Sequence, residues 1–204
     1  MKRFAIFLAA LSLACAAGRA AAQDAAKADS RPRVRLETTL GVIVLELDRE
    51  KAPLTVQNFL RYVSEGYYDG LIFHRVIPTF MIQGGGYDKD MNEKRRGLHP
   101  PIPLESRNGL KNARGAIAMA RTADPDSATS QFFINVVDNP FLDHPRPDGH
   151  GYAVFGRVAE GMDIVDVIRR TRLIRHPRYP SPEPATPEVP VVIQKAALLG
   201  REGR

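Results

Sequence analysis

The chain has 204 residues, 44% hydrophobic and 25% charged, with a formal net charge of +6. This is globular composition with enough apolar material for one core, which excludes global disorder. The 16 glycines and 16 prolines follow no fixed period, which excludes collagen-like and solenoid architectures.

Residues 1–22 read as a signal peptide. Lys2 and Arg3 precede an apolar run from Phe4 to Ala17 that is too short for a permanent membrane helix, and Ala20-Ala21-Ala22 before Gln23 offers a small-x-small cleavage pattern. Cleavage after Ala22 and a periplasmic or secreted location are expected, with no stable membrane insertion. Acylation at Cys15 is disfavoured, because Ser12 stands three residues before it and Leu11 one place too early for a lipoprotein pattern. Removing residues 1–22 takes away Lys2, Arg3 and Arg19 and no acidic residue, so the net charge falls from +6 to +3 and no cysteine remains. Stability would then rest on packing rather than disulfides.

Residues 23–32 are small and polar and read as a flexible lead-in to a domain spanning 33–199, with a tail at 200–204. Val34 and Leu36, then Ile43, Leu45 and Leu47, alternate with polar residues around Thr39-Leu40-Gly41, which predicts a β-hairpin with one buried face. Pro53 followed by Val56, Phe59, Leu60 and Val63 predicts a helix over 53–65, stopped by Gly66. Short β-rich runs recur at 71–76, 80–83, 116–120, 132–137, 152–158 and 191–199, and a second helix is expected at 162–170 with Asp163 in its first turn and Arg169 and Arg170 in its last. The pattern suggests an all-β dominated fold, a closed antiparallel barrel with helical caps. Residues 87–114 and the proline-rich 176–190 read as long loops, the latter a stiff surface segment leading to the last strand.

Most familiar catalytic patterns are absent. The histidines, His74, His99, His144, His150 and His176, have no paired metal spacing, so neither metal nor cofactor is expected. Ser127 and Ser130 lack a nucleophile-elbow context, and Gly84-Gly85-Gly86 precedes no helix, so a flexible turn is expected there rather than a phosphate cradle. Lys94-Arg95-Arg96 lacks interleaved aromatics, which argues against nucleic-acid binding.

The segment Phe73-His74-Arg75-Val76-Ile77-Pro78-Thr79-Phe80-Met81-Ile82-Gln83-Gly84-Gly85 stands apart, because Arg75 and Gln83 sit among large apolar residues. In a half-buried strand they must be hydrogen-bonded or line a cleft, since an unpaired buried guanidinium is very costly. Arg75, Met81 and Gln83 share parity, with Pro78 interrupting the register, and a structural ion pair between strands remains the simpler alternative.

This segment, with GAIAMA (115–120), SQFFIN (130–135), PFLD (140–143) and YAVFGRV (152–158), resembles the cyclophilin family of peptidyl-prolyl cis-trans isomerases, specifically the exported bacterial type. The resemblance covers about 33–199 and implies a closed eight-stranded antiparallel β-barrel capped by two α-helices, with a substrate groove on its outer face. It implies Arg75 as the catalytic arginine and Gln83 as its positioning partner. Phe80, Met81, Phe133 and Leu142 would form the proline pocket, with Gln131, Ala120, Arg121 and Thr122 lining the groove. Phe141 and Tyr152 complete the implied binding set, at positions where many members have Trp and His. Phe141 lacks the indole N–H that can donate to cyclosporin A, so drug binding should be weak. The position of Arg121 is often Asn and should bind mainly through backbone groups. The implied function is acceleration of X-Pro rotation in folding of exported polypeptides by a monomer, and the alternative is a non-catalytic proline-peptide-binding chaperone on the same scaffold.

Overall fold

The structure, a computed structural model, describes residues 30–179 and 181–200. The expected signal peptide, most of the 23–32 lead-in and the tail beyond Gly200 lie outside the described residues. Strands β1 (Arg33–Thr38) and β2 (Gly41–Leu47) form the expected hairpin, with Thr38 opposite Gly41 and the Thr38 hydroxyl donating to the Gly41 carbonyl at 2.7 Å. Helix α1 (Pro53–Ser64) follows and ends before Gly66, whose φ of 63° provides the left-handed stop.

The remaining strands and α-helix are β3 (Arg75–Ile77), β4 (Met81–Gly84), β5 (Ala116–Met119), β6 (Phe132–Asn135), β7 (Val154–Glu160), α2 (Met162–Ile168), β8 (Leu173–Ile174), β9 (Thr186–Pro187) and β10 (Ile193–Leu198), with short 3-10 turns at Ser106–Asn108 and Pro140–Leu142. Eight strands make one antiparallel sheet in the order β10-β1-β2-β7-β5-β6-β4-β3. The sheet curls into a half-barrel. Its edge strands form no ladder with each other; instead Phe73 N–H donates to the Val191 carbonyl at 3.0 Å and Ile193 N–H to the Leu71 carbonyl at 2.8 Å. The 71–76 run therefore gives part of its length to this seam and only Arg75 onward to β3.

The concave face holds the core. Val34, Leu36, Ile43, Leu45, Leu47, Ile82, Ile117, Phe132, Ile134 and Phe155 pack there with Val56, Phe59, Tyr62 and Val63 of α1 and Val165 and Ile168 of α2. Phe59 meets Tyr68, Phe132 and Phe155 at ring-centroid distances of 5.1, 5.5 and 5.2 Å, so α1 is fixed by aromatic contacts as well as by area.

Helix α2 is shorter than the predicted 162–170. Gly161 precedes it with φ 85°, and a Cβ there would lie 2.2 Å from the Val42 carbonyl oxygen, so this entry admits only glycine. Arg169 caps the helix end without joining it: Nε donates to Asp166 at 2.8 Å and Nη1 to the Pro78 carbonyl at 3.0 Å, tethering the β3–β4 turn.

Neither long loop is structureless. Within 176–190, Ala185, Thr186 and Pro187 are buried, β9 pairs with β8 just before the segment, and Val76 N–H donates to the Ala185 carbonyl at 2.7 Å. The surface reading thus holds for its flanks but not its middle, because β3 needs a hydrogen-bond partner on its outer edge. The 87–114 loop carries Glu105, whose carboxylate accepts from Leu54 N–H at 3.1 Å, Thr55 N–H at 2.8 Å and the Thr55 hydroxyl at 2.7 Å. Ala52 has no side chain that can cap α1, so this remote carboxylate satisfies the first turn. Glu105→Ala should lower unfolding free energy by about 1–2 kcal/mol. Urea denaturation checks this, and isomerase turnover at a temperature where the variant is fully folded should be unchanged.

Candidate active site

The outer face of β3, β4, β6 and β5 carries a second, smaller apolar cluster of Met81, Ala116, Ala118, Phe133, Leu142 and Val154. Register decides what stands beside it. Arg75 lies opposite Gln83, Gln83 opposite Phe133, and Phe133 opposite Ala118, so these residues form one row across four strands. Pro78 does not interrupt that row: it sits in the β3–β4 turn, where Phe80 N–H donates to the Ile77 carbonyl at 2.9 Å. Phe132, one residue from Phe133, points into the main core.

A cleft of about 190 Å³ opens on this face, lined by Arg75, Phe80, Met81, Gln83, Ala120, Arg121, Phe133, Leu142 and Tyr152. A larger hollow of about 500 Å³ lies elsewhere, among Lys51, Leu104, Glu105, Asp126 and His150. Size does not select it, since its carboxylates are already engaged: Glu105 caps α1, and Asp126 accepts from Leu104 N–H at 2.8 Å. The smaller cleft instead combines apolar walls with donors that converge on it.

Arg75 Nη1 donates to Gln83 Oε1 at 3.2 Å, and Gln83 Nε2 donates to Gln131 Oε1 at 3.0 Å. Among the described residues no carboxylate pairs with Arg75, whose side chain bonds to Gln83 and lines the cleft, so the structural ion pair is absent and guanidinium donors remain for a ligand. The glycine run makes this relay possible by close packing rather than by flexibility. A Cβ on Gly86 would lie 2.6 Å from the Gln131 side-chain carbonyl carbon, and one on Gly85, at φ 86°, would lie 2.8 Å from the Ser130 carbonyl oxygen.

Three expected binding residues stand outside the cleft lining. Gln131 lies behind Gln83 as the end of the relay. Thr122 turns away, with its N–H and hydroxyl both bonded to the Ser127 hydroxyl. Phe141 stacks on Phe80 at 5.5 Å, 48% exposed at the rim.

The family model described as cyclophilin type peptidyl-prolyl cis-trans isomerase/CLD matches residues 33–197. The chain belongs to this family. It is 50% identical over 172 residues to peptidyl-prolyl cis-trans isomerase A of Dickeya dadantii (strain 3937), covering 84% of this chain and 87% of that one. It is 54% identical over 138 residues to isomerase B of Escherichia coli (strain K12), covering 67% and 83%. Among solved structures it is similar to a Cryptosporidium parvum cyclophilin-type isomerase, with TM-score 0.66, 25% identity, and 84% and 99% coverage. The same protein solved in the presence of the dipeptide Ala-Pro gives TM-score 0.65 at 26% identity, with 83% and 99% coverage. The chain is therefore a peptidyl-prolyl cis-trans isomerase.

Sequence reasoning missed the polar layer beneath the cyclophilin pocket. Asn139 Nδ2 donates to the Phe80 carbonyl at 3.0 Å and to Asn135 Oδ1 at 2.7 Å, and Asn135 Nδ2 donates to Asn112 Oδ1 at 3.2 Å. Asn112 in turn donates from its backbone to Asp143 at 2.8 Å. This chain of amides ties the β3–β4 turn to the loop carrying Leu142. Its only trace in the sequence is a scatter of Asn and Asp over 112–143, which reads equally well as turn chemistry.

His74, next to Arg75, is fully buried beside Tyr87 and Tyr179, and among the described residues neither ring nitrogen has a partner in good hydrogen-bond geometry. Burial, aided by the neighbouring Arg75 charge and weakly opposed by the Ile72 carbonyl, holds its pKa down at about 3. The unfolded chain protonates this imidazole near pH 6.5, so stability is full above that pH and falls as pH drops toward about 3. His74→Phe should flatten this part of the acid-side decline. Melting temperatures of wild type and variant between pH 7 and pH 4 check it: parallel curves would contradict the assignment.

Proposed function

We propose that X-Pro rotation takes place in the cleft lined by Arg75, Phe80, Met81, Phe133 and Leu142, and that Arg75 is the donor to the prolyl nitrogen. An X-Pro bond turns slowly because amide resonance imposes a barrier of about 18–20 kcal/mol. Twisting the bond returns the lone pair to nitrogen. A donor aimed there stabilises the twisted state more than either planar state, and only such differential binding accelerates the step. Removing roughly 7–8 kcal/mol would speed rotation about 10⁵- to 10⁶-fold, a load shared by donor, pocket and orientation.

The observation that carries this reading is the guanidinium of Arg75, half-buried at an apolar cleft and held by an amide rather than a carboxylate. A carboxylate would neutralise its field; Gln83 fixes its plane and leaves the charge available. Phe80, Met81, Phe133 and Leu142 enclose the pyrrolidine ring while the preceding carbonyl swings. The Arg121 N–H and C=O make no hydrogen bond within the described protein and lie beside the cleft, which supports their use as a backbone rail for the peptide.

The leader-like composition of residues 1–22 supports export to the periplasm or beyond with cleavage after Ala22, and clients among exported proline-containing polypeptides bound by a monomer. Intact-mass analysis of the exported protein tests the cleavage site.

Arg75→Ala should lower kcat/KM about 10²- to 10³-fold with the circular dichroism spectrum unchanged, and Arg75→Lys should recover little of it. A protease-coupled assay on an Ala-Pro peptide measures this, and near-full activity in the alanine variant would exclude the electrostatic mechanism.

Cyclosporin A should bind weakly. Phe141 presents a ring with no polar atom, already stacked on Phe80. An unpaired acceptor costs about 1–3 kcal/mol, so Phe141→Trp should tighten inhibition by roughly one to two decades with little change in turnover. Equal inhibition constants for wild type and variant would show that this position does not control the drug.

A further inference from the structure

The Arg121 side chain does not reach into the cleft as a free cation. It is 1% exposed and spends its donors on the protein. Nε and Nη2 both donate to the Gly151 carbonyl, at 3.0 and 2.8 Å, Nη1 donates to the Thr122 carbonyl at 2.9 Å, and Nη2 also donates to Asp148 Oδ2 at 2.6 Å. Its Cζ lies over the Tyr152 ring, 4.5 Å from the centroid, and that ring meets Phe133 edge-on at 5.7 Å. A guanidinium withdrawn this far from water must be compensated by its surroundings, and here every hydrogen-bond partner belongs to one of two loops flanking the pocket.

Those loops are 120–127 and 143–151. The second is pinned at its base by Tyr152 N–H donating to the Leu142 carbonyl at 3.0 Å, so pocket residues Leu142 and Tyr152 stand at its two ends. Asp148 organises its tip, with Oδ1 accepting from His150 N–H at 3.1 Å and Gly151 N–H at 3.3 Å while Oδ2 takes Arg121. Arg121 chiefly holds the Asp148 pKa down at about 2, so the carboxylate stays charged throughout the neutral range.

We propose that the Arg121 side chain is a positioning residue that sets how tightly the proline-bearing peptide is held, by locking Tyr152 and the 143–151 loop against the cleft without itself touching substrate. The inference rests on the cleft being the site of isomerisation. Arg121 shares no hydrogen bond with Arg75, Gln83 or Gln131 among the described residues, so releasing it loosens the wall and leaves the donor relay in place. The effect belongs to binding rather than to rotation of the bound peptide. Lysine is no substitute, because a point charge can neither fork between two carbonyls and a carboxylate nor stack on the ring.

Exchange NMR on a tetrapeptide containing Ala-Pro separates the dissociation constant from the rotation rate of bound peptide. Arg121→Ala should weaken binding about 10-fold and keep the bound rotation rate within about twofold, and Arg121→Lys should weaken binding nearly as much. Asp148→Asn, altering a side chain at the exposed end of the clamp, should weaken binding about two- to threefold. Binding by Arg121→Ala within twofold of wild type would overturn the proposal, as would a fall in bound rotation rate matching that of Arg75→Ala. Should Arg121→Ala fail to fold, unchanged binding by Asp148→Asn overturns it equally. Full activity of Arg75→Ala measured in parallel would instead remove the cleft reading, so the two failures are told apart.

Discussion

A guanidinium at an apolar cleft with no carboxylate to neutralise it is tolerable only where neutral acceptors hold it, and here strand register supplies them. Arg75 and Gln83 meet because the β3–β4 turn closes around Pro78, and Gln131 reaches Gln83 because position 86 has no side chain in its way. Each link is local in sequence or set by a ladder. Shifting β4 by one residue would send Gln83 into the core and Ile82 out to the cleft, destroying relay and pocket together.

The same period-two geometry lets one thin sheet serve two purposes. Phe132 packs into the main core against Phe59, Tyr68 and Phe73, and Phe133 faces the opposite way into the cleft. The concave side is sealed by α1 and α2, so it sustains the fold, and the outer side can spend apolar area on a ligand. The Asn112–Asn135–Asn139 amides lie between these two purposes. Asn139 adds a second donor to the Phe80 carbonyl, which already accepts from Val136 N–H at 3.1 Å, and the amides tie the rim turn to the loop that carries Leu142.

Legibility in the sequence follows the same division. Strands and helices announced themselves by period: Val34 and Leu36, then Ile43, Leu45 and Leu47, state the hairpin, and Val56, Phe59 and Val63 state α1. Arg75 and Gln83 were conspicuous because charge and amide break an apolar run, although pattern alone could not choose between ion pair and cleft. The choice needed a fact about space, the absence among the described residues of a carboxylate paired with Arg75. Loop-borne features stayed hidden because their partners are distant. Glu105 caps a helix about fifty residues earlier in the chain, the buried middle of the proline-rich segment completes β3 through Ala185, and Asp148 clamps Arg121 from a loop whose sequence reads as solvent-facing turn.

This separates what the fold dictates from what the loops adjust. The floor of the cleft, Arg75, Met81, Gln83 and Phe133, lies on or beside paired strands whose register cannot drift without loss of the core. The walls, Leu142, Tyr152 and the rim residue Phe141, stand on turns held by a few hydrogen bonds and one cation–π contact. On the proposed reading, substitution at 121, 141 or 152 should therefore change the fit of the flanking peptide while leaving Arg75 and its plane where they are. Because Arg121 is neutralised by Asp148, the cleft presents Arg75 as its one uncompensated side-chain charge among its lining residues. In the proposed mechanism a planar amide has no free nitrogen lone pair to accept from that cation, because resonance delocalises it; the twisted bond offers one. The proposed field therefore acts on the transition state more than on the substrate, which is the difference a catalyst requires.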